Sequence, residues 1–273
     1  MFASSTLFAI ANGVRLTYLG TMFDVSDLPP APWAKKSKPA RAEAKPALSR
    51  QAIVDAALRI IDTEGLDAVS MRRIAQELGT GAASLYAHVA DKEQLLDLVV
   101  DQIMGEMAAV HDAMAPAPAD ARDWQEQIKD MARASFQTLI AHGDVARVFS
   151  GRIPFGPNGL VAVESQLAVL RAAGLPDQMA AFAGDLLGQF VNGHAVDEVS
   201  WRGRFPNGSE QDMIAHLGEL RDYLAALPVE RFPNMVALSA QLLSGESEGT
   251  SRFELGLEVL VRGLASFLDR PQA

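Results

Sequence analysis

The stretch Ser70–Val89, SMRRIAQELGTGAASLYAHV, has the pattern of two short helices joined by a tight turn. Ser70 is suited to begin the first helix, because its hydroxyl oxygen can accept a hydrogen bond from a free backbone N–H group. Ile74, Ala75 and Leu78 then form an apolar stripe on one helical face. We therefore predict a first helix that buries this stripe and ends before the glycines that follow.

A second helix is predicted to begin near Ala82. Gly79 is the residue type expected where a helix ends in the left-handed conformation, and Gly81 loosens the turn further. Leu85 and Val89 stand four positions apart, so they fall on one inward face. The side chains predicted to face outward or sideways are those of Ala82, Ala83, Ser84, Tyr86, Ala87 and His88.

Two interpretations fit this pair of helices. A helix-turn-helix whose second helix begins with small residues can bring its N-terminal end into a DNA major groove. Similar spacing occurs in helical proteins that use it only for packing, so the spacing alone leaves both interpretations open. The segment GTGAAS shares glycines with a phosphate-binding loop, but it follows a helical pattern instead of a strand, which argues against a phosphate site.

The residues around this pair resemble a known family of DNA-binding proteins. Residues 48–104 contain AIVDAALRIIDTEGLDAVSMRRIAQELG and then SLYAHVADKEQLLDLV. The combination of E-G-L-x-x-x-S-M-R, L-G and L-Y-x-H-V-x-x-K-x-x-L-L resembles the DNA-binding domain of the tetracycline-repressor (TetR) family. The resemblance implies that the second helix is the recognition helix and that double-stranded operator DNA is the partner. The DNA-contacting residues predicted in this way are Arg72, Ala82, Ala83, Ser84, Tyr86, His88 and Lys92.

Two further helices are predicted to support the recognition helix. Helix one is expected over about Ser49–Glu64, and Gly65 ends it. Its buried stripe comprises Ile53, Ala57, Ile60 and Ile61. A fourth helix is expected to begin at Asp91, with Gln94 as its capping-box partner. The apolar face that this helix turns toward the rest of the chain comprises Leu96, Val99, Val100, Ile103 and Met107.

Charge is unevenly distributed along the chain. The 273 residues carry a net charge of −10, but residues 35–92 hold ten Lys/Arg against seven Asp/Glu, whereas residues 105–273 hold 13 against 22. A mildly basic head on an acidic body is typical of a protein that touches DNA only with its head. The chain has no cysteine, which excludes disulfides and thiolate chemistry and fits the reducing cytoplasm. No apolar run is long enough to span a bilayer.

Residues 1–47 are predicted to be a disordered extension that ends in a basic linker. Residues 1–30 lack the basic start and the cleavage site of a signal peptide, and the sequence leaves open whether translation begins at Met1 or Met22. The basic side chains of residues 31–47 are Lys35, Lys36, Lys38, Arg41 and Lys45. This segment is either a solvated linker or an arm that lies along phosphates or enters the minor groove.

The whole pattern predicts an all-α protein, with a helix-turn-helix head at 48–104 and a helical ligand-binding and dimerisation body at 105–273. After the head, helices are expected at about 121–142, 144–150, 157–173, 176–200, 210–226 and 251–268. Loops are expected at 112–120, 203–208 and 244–251, where residues such as Pro, Gly and Ser break the helical pattern. No alternating run in the body suggests a strand.

The body also resembles that of the tetracycline repressors, in the segments AHGDVARVFSGRIP, ESQLAVLRAAGL and RFELGLEVLVRGLASFL. The resemblance implies a homodimer joined through two helices per subunit, which here are Pro176–Ser200 and Ser251–Leu268. The last helix supports this independently, because it is apolar over most of its circumference and is therefore expected to be buried by its own core and by a partner. Its main apolar face comprises Phe253, Leu257, Leu260, Leu264 and Phe267, and the residues off that face are Leu255, Val259 and Ala265.

The same resemblance implies a small-molecule inducer inside the body. The tetracycline repressors bind their drug as a magnesium chelate through a His and an acid, at positions that are Phe149 and Asp197 here. Phe cannot ligate a hard cation, and His194, one turn before Asp197, suits zinc better than magnesium. We therefore predict a hydrophobic or aromatic inducer that is bound without a metal or cofactor. The predicted ligand-binding residues are Met131, Ser135, Phe149, Ile153, Gln166, Leu167, His194 and Asp197.

Catalysis is not expected, because the sequence has no nucleophile elbow and no metal-ligand motif. His194, Asp197 and Glu198 share one helical face and could bind a divalent ion, but a solvated polar face with a local ion pair explains them as well. We predict a homodimeric cytoplasmic repressor that an inducer releases from a palindromic operator. The alternative is a ligand-insensitive DNA-binding architectural protein.

Overall fold

The computed structural model describes residues 17–18, 21–22, 48–114, 123–204, 210–243 and 252–268. Within these residues the chain forms the helices α1 (Arg50–Glu64), α2 (Met71–Glu77), α3 (Ala82–Leu85), α4 (Lys92–Met114), α5 (Trp124–Ala141), α6 (Ala146–Phe149), α7 (Pro157–Ala172), α8 (Asp177–Gly203), α9 (Glu210–Ala225), α10 (Pro233–Ala237), α11 (Ser239–Leu242) and α12 (Arg252–Ala265). Short 3-10 turns, Leu66–Ala68 and Gly143–Val145, follow α1 and α5. The predicted all-α class is confirmed. None of the described helices is long and apolar enough to cross a membrane.

A pair of two-residue strands lies in the N-terminal region for which the sequence predicts disorder. Strand β1 (Thr17–Tyr18) pairs with the antiparallel strand β2 (Thr21–Met22). Two residues are too few for an alternating pattern to be recognised, so the sequence gives no signal for these strands. The other residues of 1–47, including the basic segment 31–47, lie outside the described part of the chain.

The helix-turn-helix has the ends that the sequence predicts. The Ser70 hydroxyl oxygen accepts a hydrogen bond of 3.1 Å from a backbone N–H in the first turn of α2. After α2, Gly79 has a φ of +60°, its N–H donates to the Gln76 carbonyl, and the Thr80 N–H donates to the Ala75 carbonyl. This pair of bonds is a Schellman motif, which satisfies carbonyls at the end of α2 and turns the chain toward α3.

Helix α1 also confirms its predicted ends and buried face. The Ser49 hydroxyl oxygen accepts a hydrogen bond of 3.1 Å from the Ala52 N–H, and Gly65, with a φ of +85°, donates to the Ile61 carbonyl. The whole predicted stripe, Ile53, Ala57, Ile60 and Ile61, is buried. Helix α1 therefore packs against α2 and α4 through a continuous apolar face.

Helix α4 joins the head to the body without a break. It has 23 residues, which gives a length of about 35 Å, and it crosses the predicted boundary between residues 104 and 105. It packs against α1 in the head and against α5 and α7 in the body. Its predicted apolar residues Leu96, Val99, Val100, Ile103 and Met107 are all buried. The helix extends into the predicted loop 112–120, of which residues 115–120 lie outside the described part of the chain.

Helix α5 lies at the centre of the body, where it contacts α4, α7, α8 and α12. One hydrophobic cluster extends from Ile53 in α1 to Leu264 in α12, so the core is continuous from the head into the body. The helices predicted at 121–142, 157–173, 176–200, 210–226 and 251–268 correspond to α5, α7, α8, α9 and α12, with ends that differ by a few residues.

Three short helices differ from the sequence prediction. The helix predicted at 144–150 is a 3-10 turn followed by the four-residue α6. Helices α10 and α11, with five and four residues, were not predicted, because such lengths contain too little of the 3.6-residue period. Both pack on α9.

Candidate DNA-binding surface and ligand site

Helix α3 presents small side chains to solvent. Leu85 and Val89 are buried as predicted, whereas Ala83 and Ser84 are exposed and Tyr86 is 53% exposed. The Val89 N–H donates to the Leu85 carbonyl over 3.0 Å, so helical bonding continues beyond the four residues of α3 itself. A helix that has buried apolar side chains on one side and small exposed side chains on the other can approach a DNA groove closely.

Two consecutive arginines of α2 have different surroundings. The Arg73 Nε atom lies 3.1 Å from both carboxylate oxygens of Glu64, and its Nη2 atom lies 3.1 Å from Glu77. Arg72 is exposed and has no ion pair within the part of the chain that the structure describes. A concave surface of about 350 Å³ is lined by Arg72, Ala75, Gln76, Thr80 and Ala82. Arg73 therefore links α2 to α1 through its ion pairs, while the exposed Arg72 side chain can contact a binding partner.

Six residues separate the end of α3 from the start of α4. The Gln94 N–H donates to the Asp91 carboxylate over 2.8 Å, so Asp91 caps the helix as predicted. The Gln94 side chain accepts a hydrogen bond from the Ala90 N–H, one residue before the N–H that a capping box uses. Lys92, in the first turn, is half-buried, as are Ala82 and His88. A cation at a helix N-terminus opposes the helix dipole, so Lys92 does not stabilise α4 through that dipole.

The segment after α6 ties the body to the first half of α4. Arg152 forms an ion pair with Glu93 and another with Asp97, the latter over 2.6 Å. Asp101 accepts hydrogen bonds of 2.9 and 3.0 Å from two backbone N–H groups in the first turn of α7, where the helix dipole favours a negative charge. Helix α4 is therefore held by elements that also carry predicted ligand-binding residues.

The predicted ligand-binding residues form a partly buried and an exposed group. They lie on or next to α5, α6, α7 and α8, of which α8 packs on each of the other three. The partly buried residues are Met131, Ser135, Phe149, Gln166, Leu167 and His194. Ile153 is 66% exposed and Asp197 is also exposed. The structure therefore places all eight residues in the body, six of them partly buried and these two exposed at its surface.

His194 lies in an aromatic cluster on the side of α8 that faces α12. Its ring centroid is 4.5 Å from that of Phe190 and 5.7 Å from that of Phe253, both in edge-to-face contact. Phe253 also stacks on Phe136 of α5 over 4.3 Å. Glu198, which the sequence places on the same helical face, forms an ion pair with Arg202 instead. No cluster of three or more potential His, Asp or Glu metal ligands occurs among the described residues.

Two amide side chains could give an apolar ligand a polar anchor. The Gln166 Oε1 atom would lie only 2.8 Å from a Cβ atom at position 184, so Gly184 makes room for it between α7 and α8. The Asn192 Oδ1 atom is buried and accepts no hydrogen bond within the described structure. An unpaired buried acceptor costs about 1–3 kcal/mol, so a ligand donor would be favourable there. Asn192 was not predicted, although a lone Asn in GQFVNGHAV was a signal that could have identified it.

Helices α8 and α12 together expose an apolar surface, which we call the α8–α12 surface. Its most exposed side chains are Phe182, Leu186, Leu255 and Val259. Next to them lies an apolar depression of about 300 Å³. The opposite face of α12 is buried in the core through Phe253, Leu257 and Leu264. This confirms the prediction that α12 is apolar on two sides.

Comparisons with known proteins agree with this architecture. The family described as "Bacterial regulatory proteins, tetR family" matches residues 53–99, and "Tetracyclin repressor-like, C-terminal domain" matches residues 117–268. The first match contains α2 and α3, and the second covers α5 to α12. The two matches therefore cover the helix-turn-helix and the body.

Individual relatives cover most of the chain. The apo structure of ActR from Streptomyces coelicolor is 43% identical, with a TM-score of 0.69 over 82% of this chain and 98% of ActR. ActR in complex with actinorhodin is 44% identical, with a TM-score of 0.69 over 81% and 97%. The transcriptional repressor DrrR1 of Streptomyces coeruleorubidus is 31% identical over 242 residues, 84% of each chain. The chain belongs to the TetR family of bacterial transcriptional regulators, with an N-terminal helix-turn-helix DNA-binding domain and a C-terminal ligand-binding domain.

Proposed function

We propose that this protein is a cytoplasmic repressor that binds a palindromic operator as a homodimer and leaves it when a small apolar or aromatic inducer binds. The observation that carries the proposal is the surface of α3, where Ala83, Ser84 and Tyr86 are exposed above a buried Leu85. Arg72 and Lys92 flank this surface with positive charge. In this proposal α3 enters the major groove, and Tyr86 positions or reads a base there.

The dimer is proposed to form through the α8–α12 surface. A contiguous exposed apolar surface on a single chain marks an interaction site more often than a free face. A two-fold arrangement would place the same side chains, among them Leu255 and Val259, against their copies. Such a dimer carries two heads, which fits an operator whose half-sites are about 34–36 Å apart.

The inducer is proposed to lie in the body among α5, α6, α7 and α8, without a metal. On the resemblance to the tetracycline repressors, Phe149 falls where they have a metal-binding His, and the carboxylate at the other metal position, Asp197, is exposed. The partly buried side chains are mostly apolar, and Gln166 and Asn192 supply the few polar groups that orient a ligand. The relative ActR has been solved with actinorhodin, an observation about that protein that supports a small-molecule ligand here.

Release of the operator requires that the inducer bind one head arrangement better than the other. Helix α4 is suited to couple the two sites, because it follows α3 in the chain, packs on α1 in the head and packs on α5 and α7 in the body. A change in the body that displaces α4 would change the spacing of the two heads.

The test begins with selection of duplex DNA from a random pool by the full chain. The expected product is a palindrome, and its binding is then measured by fluorescence anisotropy with added actinorhodin, with and without EDTA. We expect release that EDTA does not change, from actinorhodin or from another aromatic compound in a small-molecule screen. Failure to select any DNA would contradict the repressor function. Stable binding that no compound releases would favour the architectural alternative, and release only by magnesium–tetracycline would contradict a metal-free site.

A further inference from the structure

The joint between the head and the body contains one histidine between two carboxylates. His142 follows the last residue of α5, and its side chain is 23% exposed. Its Nδ1 atom lies 3.3 Å from the Asp62 carboxylate of α1, and its Nε2 atom lies 2.7 Å from the Glu106 carboxylate of α4. One side chain of the body therefore contacts the first helix of the head and the helix that connects the head to the body.

This geometry is satisfied by only one protonation state. A neutral imidazole has one N–H donor and one acceptor nitrogen, so it can donate to only one of the two carboxylates. The imidazolium donates to both. Burial lowers the pKa of His142, but its hydrogen bonds with Asp62 and Glu106 outweigh burial and raise that pKa to about 9. The pKa of Glu106 is raised by burial but held below its ordinary value by the hydrogen bond from His142.

Polar groups of α1 and α4 extend this contact. The Gln102 amide of α4 donates to the other Glu106 oxygen over 3.3 Å. The Gln51 amide of α1 donates to Gln102 over 2.7 Å and to Asp55 over 2.8 Å. These side chains form a hydrogen-bonded chain from α1 to α4 that returns to α1 through His142.

The turn after His142 adds a second contact with the head. Asp144 accepts a hydrogen bond of 3.0 Å from the Leu66 N–H, so a body carboxylate caps the 3-10 turn that follows α1. Arg147 forms ion pairs with Asp144 over 2.7 Å and with Asp67 over 3.2 Å. Gly143 has a φ of +51°, and a Cβ atom there would lie 3.6 Å from the backbone of α1. The charged groups that face the joint from α1, α4 and this turn therefore comprise more carboxylates than cations.

We propose that protonated His142 is an ionic latch that fixes the DNA-binding head against the body, and that loss of its proton frees the head. Without the proton, the ring can no longer donate to both Asp62 and Glu106, and its positive charge no longer offsets the two carboxylates. The contact between α1, α4 and the end of α5 then loses one of its polar links, while the contacts of Asp144 and Arg147 remain. Only the consequence for DNA binding rests on the function proposed above, because the latch itself exists without DNA or inducer.

The direction of the pH effect follows from the raised pKa. A histidine whose pKa is higher in the docked state than its ordinary value of 6.5 stabilises docking fully below that value and loses this contribution as the pH rises through about 9. The latch is therefore closed at pH 7. At pH 9.5 about three quarters of the molecules would lack the proton.

The latch can be tested by a distance measurement within one subunit. The chain has no cysteine, so Gln76→Cys on α2 and Glu164→Cys on α7, both at exposed positions, provide two unique sites for spin labels. Labelled subunits are diluted with unlabelled protein, and pulsed electron paramagnetic resonance gives the head-to-body distance distribution. We expect a narrow distribution at pH 7 that broadens at pH 9.5. With His142→Gln the distribution should be broad at both values, whereas the control His216→Gln, on the exposed surface of α9, should behave like the parent.

A second variant keeps the test decisive if His142→Gln does not fold. Glu106→Gln removes one carboxylate, so it should move the midpoint of broadening, and the titration of the His142 ring followed by nuclear magnetic resonance, to lower pH. Distributions that are equally narrow at pH 7 and 9.5 in the parent would overturn the latch, as would an unchanged midpoint in Glu106→Gln.

A DNA-binding measurement distinguishes failure of this inference from failure of the proposed function. With the selected duplex, the affinity of the parent should fall about threefold or more between pH 7 and 9.5, because a freed head populates the binding orientation less often. The affinity of His142→Gln should change less over the same range. Absence of DNA binding together with a pH-dependent distance would contradict the proposed function and leave the latch standing. Normal DNA binding with pH-independent distances would contradict the latch alone.

Discussion

The head–body joint and the α8–α12 surface are both places where helices meet, but they use opposite chemistry. In addition to the hydrophobic core that continues from the head into the body, the joint has polar contacts: the hydrogen bonds and ion pairs of His142, Asp144 and Arg147 reach α1, α4 and the turn after α1. The α8–α12 surface presents apolar side chains, with Leu255 61% and Val259 64% exposed. One includes polar contacts within the chain, and the other is an apolar face that the described residues of the single chain leave uncovered.

This difference indicates how permanent each contact is. Partly exposed ion pairs contribute modestly to stability and depend on pH and salt, so the polar contacts of the joint can be broken at small cost. A large apolar surface in water is costly to leave open, which favours a lasting partner. A regulator needs both, because its two heads must stay on one dimer while their orientation changes.

The largest expected effect is on the apolar surface. The double substitution Leu255→Glu and Val259→Glu places two charges at the proposed interface and should weaken the dimer by roughly 3 kcal/mol or more, through lost apolar burial and the cost of burying charge. Analytical ultracentrifugation measures the dissociation constant. Val163→Glu, at an exposed apolar position on α7, is the matched control and should remain dimeric. A double variant that dimerises like the parent would show that this surface is not the interface.

The next effect concerns the head. Tyr86→Ala should weaken operator binding by about 1–3 kcal/mol if Tyr86 positions or reads a base. The control is Tyr223→Ala on α9, since Tyr223 is similarly exposed at 65% but lies in the body. Anisotropy with the selected duplex measures both affinities, and circular dichroism checks the fold. Equal affinities for the two variants would remove Tyr86 from the DNA-binding surface.

The sequence predicted the head better than the body for a physical reason. The ends of α1 and α2 depend on local groups, Ser49, Ser70 and Gly79, whose capping roles can be recognised from neighbouring residues alone. The latch depends on His142 and Asp62, which are 80 positions apart. No local pattern indicates such a pair, and a single histidine after a predicted helix carries no signal of its partners.

The ligand site also depends on contacts between distant parts of the chain, which the sequence alone does not indicate. Phe149 and Gln166 were found through their alignment with a known family, and the structure places them in the body, although no ligand contact tests them. Asn192 was missed because its significance comes from the burial of its Oδ1 atom, which depends on how α8 packs on its neighbours. The helices α10 and α11 were missed for lack of length.

A smaller effect is expected at Lys92. If this side chain contacts a phosphate, Lys92→Ala should weaken binding to all duplex sequences by about 1 kcal/mol and reduce the slope of log affinity against log salt by about 1. Preference for the selected palindrome should be unchanged, in contrast to Tyr86→Ala. The control is Lys129→Ala, because Lys129 is paired with Glu126 and Glu258 in the body. A salt slope equal to that of the parent would place Lys92 away from the phosphates.

The smallest expected effect concerns Asp144. It distinguishes the contribution of the hydrogen bond from the Leu66 N–H to the stability of the head–body joint from the contribution of the Asp144 charge. Asp144→Ala removes the acceptor for the Leu66 N–H and should lower the free energy of unfolding by about 1 kcal/mol, as for loss of a helix cap. Asp144→Asn keeps a side-chain oxygen for that N–H and loses only the ion pair with Arg147, whose side chain is 44% exposed, so it should cost about half as much or less. Urea unfolding at pH 7 measures both, with Asp222→Ala on the exposed face of α9 as the control. If Asp144→Asn costs as much as Asp144→Ala, charge and not capping holds the turn after α1 to the body, and the joint should then weaken markedly with added salt.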